Sequence, residues 1–359
     1  MPFKQSAVGY FPNLDVLRFF LAVFVVLFHV PEISKNAGLP FYNDLPFFQR
    51  GAEAVYWFFV LSGFLLSLLA SKEIDSGRFY ILRFFMRRVL RIWPLYFLVS
   101  VFGLLFYYFL LPLLSIPFEN QADLGTAILL QLCFLSNLLH AWYDPGGILT
   151  ITWSVSVEEQ FYVFFPLLVY FVYGILWLKR TVIILLLIII VYLYNFFPSI
   201  ALVLEELGLY IELFLIGIIA AELFHVVVKW RDSFKNGLLF IGLLLFGLLF
   251  FTDWLLIPDH FFLWRLVNGA AASIMILALA TVSKSCKIQW LVLGGKISYG
   301  IYMYHMIIIT GLVFVFQQLP YRTSIIMLCL NFLSILCTYL LAWGSFRFFE
   351  ARFLKMKKY

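Results

Sequence analysis

The chain has 359 residues, 64% of them hydrophobic and 12% charged, with a formal net charge of +6. Soluble globular chains are nearer half apolar and a quarter charged, so a soluble core is excluded. No basic stretch has the length or solvation of a nucleic-acid-binding arm, and the excess of Lys and Arg reads instead as anchoring at a lipid bilayer.

The first apolar stretch, Leu14 to Val30, carries Asp15 and Arg18 and is followed by Pro31-Glu32 in place of a small-residue cleavage site. It is therefore expected to be a retained span over 12–31, not a cleaved leader. Spans over 52–70 and 90–112 follow, separated by a basic segment, 72–91, that holds Lys72, Arg78, Arg83, Arg87, Arg88 and Arg91. The next apolar stretch, 124–141, is short and contains Gln131, Ser136, Asn137 and His140. Beyond it, spans are expected over 157–178, 181–198, 207–228, 237–257, 262–282, 297–318 and 323–346. Charge-free runs at 92–118, 160–178, 181–204 and 297–321 supply the roughly 20 apolar residues that a lipid-spanning helix needs.

Whether 124–141 crosses decides the topology. Lys and Arg near span ends mark the cytoplasmic side. Basic clusters at 72–91, Lys179-Arg180, Lys229/Arg231/Lys235, Lys284/Lys287 and Arg347 to Lys358 alternate with acidic or neutral loops at Glu119/Asp123, Glu205/Glu206, Asp253/Asp259 and Gln317-Gln318. A crossing at 124–141 would turn every later basic cluster outward. The stretch is therefore expected to be re-entrant or to lie at the outer interface, with both termini cytoplasmic. The fold class is all-α: a polytopic integral membrane bundle of about ten transmembrane helices plus this one segment, forming a single membrane domain over 1–359. Cys133, Cys286, Cys329 and Cys337 are scattered in apolar sequence with no Cys-x-x-Cys or Cys/His cluster, so they read as packing residues, and no metal is expected.

Ionisable and hydroxyl side chains inside spans are costly, and they gather in four places. In the first span, Arg18 and His29 are about three helical turns apart, on one stripe and roughly 16 Å apart along the axis. Asp15 can pair with Arg18 at i,i+3. Arg83, Arg87, Arg88 and Arg91 form the second group, and their planar guanidinium forks suit phosphate better than lysine does. The third is Thr152 to Tyr162, where Glu158 and Glu159 open a span on the outer side among Trp153, Ser154 and Tyr162. Ser154 is placed to cap that helix. In the fourth, Ser298, Tyr302 and His305 share one helical face and suggest a cavity wall. Each group also has a plain structural reading, as an anchor, a cap or a packing interface.

Together these segments resemble the membrane acyltransferase-3 family, which includes bacterial O-acetyltransferases of surface polysaccharides, lipopolysaccharide and peptidoglycan. The resemblance runs from Asn13 to about Arg352. It rests on Leu14-Asp15-Val16-Leu17-Arg18 with His29; on Trp57 to Phe64, which includes Ser62-Gly63; on Arg88-Val89-Leu90-Arg91-Ile92-Trp93-Pro94; on Thr152 to Tyr162 with Pro166; and on Ile297 to His305. Val16 stands where the family commonly has Gly, and Trp93 where it often has Tyr. Many relatives carry a fused soluble domain after the last span. None follows here, so a mechanism needing a second catalytic domain in the same chain is not expected.

The resemblance implies acyl transfer from cytoplasmic acyl-CoA, usually acetyl-CoA, to a hydroxyl of a lipid-linked or envelope glycan at a bacterial plasma membrane. Acyl-CoA would be a co-substrate, with no tightly bound cofactor. His29 would be the general base and Glu158 would orient its imidazole, while Arg18 would position the donor or bind developing charge. Arg88 and Arg91, with Arg83 or Arg87, would hold the donor's phosphates. Asp15, Ser62, Gly63, Trp153, Ser154, Glu159, Tyr162, Tyr302 and His305 would line the substrate channel. The alternative is a multi-span secondary transporter or flippase of a polar or glycan-linked substrate, although no internal repeat of the kind such proteins often show is visible.

Overall fold

The computed structural model describes residues 10–77, 79–173, 175–257, 260–319 and 324–356; Arg78, Asp259, Lys358 and Tyr359 lie outside them. Among the described residues there are helices and no strand. Hydrocarbon offers no hydrogen-bond partner, so each span must satisfy its backbone internally. The long helices are α1 (Pro12–Asn36), α2 (Gly51–Asp75) and α3 (Ile81–Leu105), the last continuing through a π turn at Phe106–Leu110. Two short helices, α4 (Leu124–Leu132) and α5 (Ser136–Trp142), and a single turn, α6 (Gly147–Thr150), lead into α7 (Thr152–Val172). Then come α8 (Leu176–Phe196), α9 (Pro198–Glu206), α10 (Ile211–Val227), α11 (Asp232–Phe251) and α12 (Phe261–Thr281). The chain finishes with α13 (Gln289–Lys296), α14 (Ser298–Gln317) and α15 (Ser324–Ser345), which runs on through a π turn at Phe346–Glu350. Among the described residues nine helices are long and apolar enough to cross a membrane, or ten if α9 and α10, bent by 81°, form one broken span.

Two boundaries differ from the sequence reading in ways that matter for the site. α3 starts at Ile81, not near residue 90, so Arg83, Arg87, Arg88 and Arg91 all sit on its first three turns. α7 starts at Thr152, which puts Glu158 and Glu159 almost two turns inside the helix and not at its opening. The hydroxyls that make 152–156 look like a loop find partners on the neighbouring hairpin. The Gln131 amide donates to Thr152 Oγ1 (3.1 Å), and the Ser136 and Ser156 hydroxyls are 2.6 Å apart.

That hairpin is the segment 124–141. At nine and seven residues, α4 and α5 are each too short to cross a hydrocarbon core of about 30 Å. They are joined by a turn at Phe134, which has a positive φ of 54°. The tip is pinned deep in the bundle. Tyr96 and Ser100 of α3 donate to Gln131 Oε1 (2.8 and 3.1 Å), and Gln160 of α7 donates to the Phe134 carbonyl (2.9 Å). The two mouths meet again where Asp144 N donates to Gln121 Oε1 (3.0 Å). The segment enters and returns on one side, as a re-entrant hairpin does.

The remaining topology agrees. Tyr10, Leu69, Arg88, Tyr299 and Leu354 line one vestibule, so the starts of α1, α3 and α14 and the ends of α2 and α15 share a face. From the start of α3 to the start of α14 the chain makes six crossings, through α3, α7, α8, the bent α9–α10 pair, α11 and α12. A seventh, at 124–141, would put α14 upside down.

α2 is the bundle's central post and packs most extensively against α10. A Cβ at Gly63 would run into the Phe214 carbonyl, and one at Gly217 into the Val60 carbonyl. Only glycine lets these two backbones cross so closely. Gly63 is thus a packing residue, which corrects its assignment to the channel. α8 and α11 are the least buried spans and present Ile, Leu and Phe outward.

Candidate active site

α1 and α2 run antiparallel in a definite register. Gly51 abuts the Phe28 ring, and eleven residues further along α2, Ser62 lines the same cavity as Arg18. Arg18 and Ser62 therefore share one level, and His29 lies about 16 Å away along the axis.

Two cavities meet at the Arg18 level. The vestibule, about 480 Å³, opens at the starts of α1 and α3 and is lined by Tyr10, Asp15, Arg18, Arg88, Arg91 and Lys296, among others. The π turn of α15 brings both Phe346 and Glu350 to its wall. The inner chamber, about 120 Å³, lies deeper, and its polar wall is Arg18, Ser62, Arg88, Arg91, Glu158 and Tyr162, with Ser154 and Tyr302 beyond. The two share Arg18, Leu65, Arg88, Arg91 and Tyr299, which form a neck between them.

The neck is positive and underpaired. Arg18 faces Asp15 at 3.6 Å, and Tyr10 also donates its hydroxyl to Asp15. Burial and that carboxylate push the Tyr10 hydroxyl up. Arg88 and Arg91 form no ion pair among the described residues, and Arg88 Nε is buried with no hydrogen-bond partner. The other two arginines of the cluster are elsewhere. Arg87 is held by Glu73, and Arg83 is exposed and stacks on the Tyr80 ring, 5.0 Å from its centroid. Successive residues point about 100° apart on a helix, so only Arg88 and Arg91, at i,i+3, face the cavity.

Glu158 belongs to the chamber and not to His29. Ser62 Oγ donates to its Oε1 (2.7 Å) and the Tyr162 hydroxyl to its Oε2 (3.1 Å). The expected Glu158–His29 pair is therefore corrected. Its depth on α7, set by the early start of that helix, places it with the arginines. Glu159 turns away and accepts from Trp93 Nε1 (3.0 Å), and Trp153 packs edge-on against Phe59 and Tyr210. Neither lines the vestibule or the inner chamber. Ser154 makes no cap. The Tyr302 hydroxyl donates its one proton to the Ile151 carbonyl (2.9 Å), so the Ser154 hydroxyl, 2.7 Å away, donates to Tyr302. These contacts close the deep end of the chamber.

Beyond Tyr302 stands a pair of imidazoles. The His29 and His305 ring centroids are 5.2 Å apart. His29 Nδ1 lies 3.1 Å from Glu32 Oε2. A carboxylate only accepts, so Nδ1 carries the proton and Nε2 is the basic nitrogen. His305 Nδ1 faces the Tyr302 carbonyl, by the same logic as a donor, which leaves a buried Nε2 lone pair with no partner. Glu32 thus takes the place that sequence reasoning gave to Glu158. Its signal was the i,i+3 spacing from His29, passed over because Pro31-Glu32 read as the flank of the span. Lys296 and Tyr299 were also missed, since neither lies on the Ser298/Tyr302/His305 face.

The arginines at the opposite face each have carboxylate partners. Arg265 is clamped by Glu205 and Glu212, and Arg50 by Asp253 with Glu53 beside it at 3.8 Å. Among the described residues no group of three or more His, Cys, Asp or Glu is arranged to hold a metal ion.

Comparison with known proteins gives a consistent picture. A family model described as an acyltransferase domain matches residues 11–343. "Putative O-acetyltransferase SACOL0978" of Staphylococcus aureus (strain COL) is 26% identical over 385 residues, covering 98% of this chain and 58% of that protein. "O-acetyltransferase OatA" of Staphylococcus aureus (strain NCTC 8325 / PS 47) is 25% identical over 370 residues, covering 97% and 58%. The chain thus spans under two thirds of the length of these relatives. No solved structure matches it.

Proposed function

The chain belongs to the acyltransferase-3 family, and from that premise we propose that it is a membrane-bound O-acyltransferase that moves an acyl group, acetyl above all, from cytoplasmic acyl-CoA to a hydroxyl of an envelope or extracellular glycan. The relatives' names point to O-acetyl transfer. Family membership favours group transfer over the solute-transport alternative.

One observation carries the reading: two arginines without a carboxylate partner at the neck of a two-chambered passage that leads toward a histidine dyad. An Arg inside a span costs about 2.5–3.5 kcal/mol on the insertion scale. Arg18, Arg50, Arg87 and Arg265 each offset that cost with a carboxylate. Arg88 and Arg91 do not, and a phosphate-bearing ligand would complete them. The basic clusters fall on the vestibule face, and the preference of Lys and Arg for the cytoplasmic side supports a donor that enters there from the cytoplasm.

In this scheme the donor's diphosphate rests on Arg88 and Arg91 and its thioester arm enters the inner chamber. The arm passes Tyr302 when the Ser154–Tyr302 contact parts. His29 Nε2 takes the proton of the acceptor hydroxyl while that oxygen attacks the thioester carbonyl. The C–S bond then breaks, and the imidazolium returns the proton to the leaving thiolate. Glu32 holds the imidazole's tautomer and stabilises its charged form. Ser62, Tyr162 and Glu158 form a polar wall for the arm.

Mass spectrometry of envelope glycans from cells with and without the protein tests the reading. Loss of an acetyl-sized increment is expected on deletion, and identical glycan profiles would refute it.

A further inference from the structure

The vestibule carries a cation that the acyl-transfer scheme does not use. Lys296 ends α13 and is exposed at the wall of the vestibule, with its ammonium 4.9 Å from the centroid of the Tyr10 ring. Its position is built in. Gly295 packs directly on the Asp15 backbone carbonyl, where a Cβ would have no room, so the end of α13 is held against the start of α1. The Tyr10 ring is fixed by its hydroxyl bond to Asp15 and is 60% exposed.

The vestibule therefore holds cations at two levels. Arg88 and Arg91 stand at the neck, and Lys296 stands over one face of the Tyr10 ring near the start of α1. Two carboxylates share the wall. Asp15 is occupied by Arg18 and Tyr10, and Glu350 accepts from the Ser345 hydroxyl (3.3 Å). Lys296 has no carboxylate partner among the described residues. That leaves Arg88, Arg91 and Lys296 with no ion-paired carboxylate among the described residues, on a wall whose other carboxylate is Glu350, and Arg88 Nε is buried without a hydrogen-bond partner.

Coenzyme A has the matching layout. Its diphosphate is next to the thioester arm, and its far end is an adenine-bearing ribose with a 3′-phosphate. With the diphosphate at the neck and the arm inward, the far end falls toward Tyr10 and Lys296. Building on the proposed acyl-CoA donor, we infer that Lys296 and Tyr10 form a subsite for the 3′-phosphoadenosine end of that donor. Lys296 binds the 3′-phosphate and Tyr10 offers a stacking face. The subsite selects free CoA thioesters over phosphopantetheine thioesters of carrier proteins, which lack that end. The plainer account is that Lys296 only complements the C-terminal dipole of α13, and that account leaves nucleotide binding indifferent to it.

Isothermal titration of the purified full chain in detergent with CoA and with 3′-dephospho-CoA separates the two. The wild type is expected to bind CoA about tenfold more tightly than 3′-dephospho-CoA, the worth of one charge-assisted contact. Lys296→Ala should erase that gap by weakening CoA alone, and Lys296→Arg should restore it. A gap that survives in Lys296→Ala, or the absence of a gap in the wild type, overturns the subsite while leaving an acyl-CoA donor intact. No binding of either nucleotide by the wild type overturns both the subsite and the donor reading.

Discussion

Replacing Glu32 with Gln is the sharpest probe of the histidine dyad. In the wild type the carboxylate accepts from His29 Nδ1 at 3.1 Å and leaves Nε2 free as the base. Gln keeps the size but loses the charge that stabilises the imidazolium, and its amide can favour the wrong tautomer. Where such a carboxylate is fully buried, the loss in kcat reaches about 10⁴. Here the Glu32 side chain is 54% exposed, so water screens much of its effect. We expect a penalty of about 1.4 kcal/mol, near the lower end for hydrogen bonds to charged groups, and hence a roughly tenfold fall in kcat. Affinity for acyl-CoA should not change, because Glu32 is far from the arginine neck. Initial rates in proteoliposomes, with donor binding measured separately by calorimetry, give both numbers. The double variant should be no slower than His29→Ala alone, since Glu32 acts only through His29. An unchanged kcat in Glu32→Gln, or a further tenfold fall in the His29→Ala background, would refute the dyad.

Two other perturbations address the donor site and the topology. Arg88→Ala/Arg91→Ala should weaken CoA binding by about a hundredfold or more, at roughly 1.5–3 kcal/mol for each charged contact, whereas Arg87→Ala, which loses only its bond to Glu73, should bind CoA nearly as the wild type does. Equal losses in both would mean that the cluster acts only as a membrane anchor. Cysteines placed at Asn120 and Tyr143, at the two mouths of the hairpin, should react with a membrane-impermeant maleimide from the same face; labelling from opposite faces would mean that 124–141 crosses.

Much of the bundle could be read from the chain. The spans follow from apolar length, and the exclusion of 124–141 followed from charge alternation before the hairpin's mouths were seen to meet at Gln121 and Asp144. The family was equally legible, because five short segments kept their order over nearly the whole chain. Side-chain partners were harder, for identifiable reasons. Arg87 and Arg88 are adjacent in sequence but point about 100° apart, and Glu73, fourteen residues from Arg87, decides which of them is occupied. Glu158 was placed too shallow because Thr152, Ser154 and Ser156 resemble a loop until Gln131, Tyr302 and Ser136 are seen to satisfy them. Gly63 suggested a channel lining, yet its role depends on the Phe214 carbonyl of a helix about 150 residues downstream. In each case the residue type was informative and the deciding partner was distant in sequence.

The central claim is that this chain carries an acyl group from CoA to a hydroxyl through His29. Its most direct test is transfer of isotopically labelled acetyl from acetyl-CoA to glycan extract in proteoliposomes, comparing wild type with His29→Ala at equal amounts of folded protein. A general base typically contributes about 10²–10⁴ in rate. The account predicts label in the glycan fraction with the wild type and a fall of at least a hundredfold in the variant. Wild-type proteoliposomes that transfer no label, or a His29→Ala protein that transfers it at the wild-type rate, would contradict it.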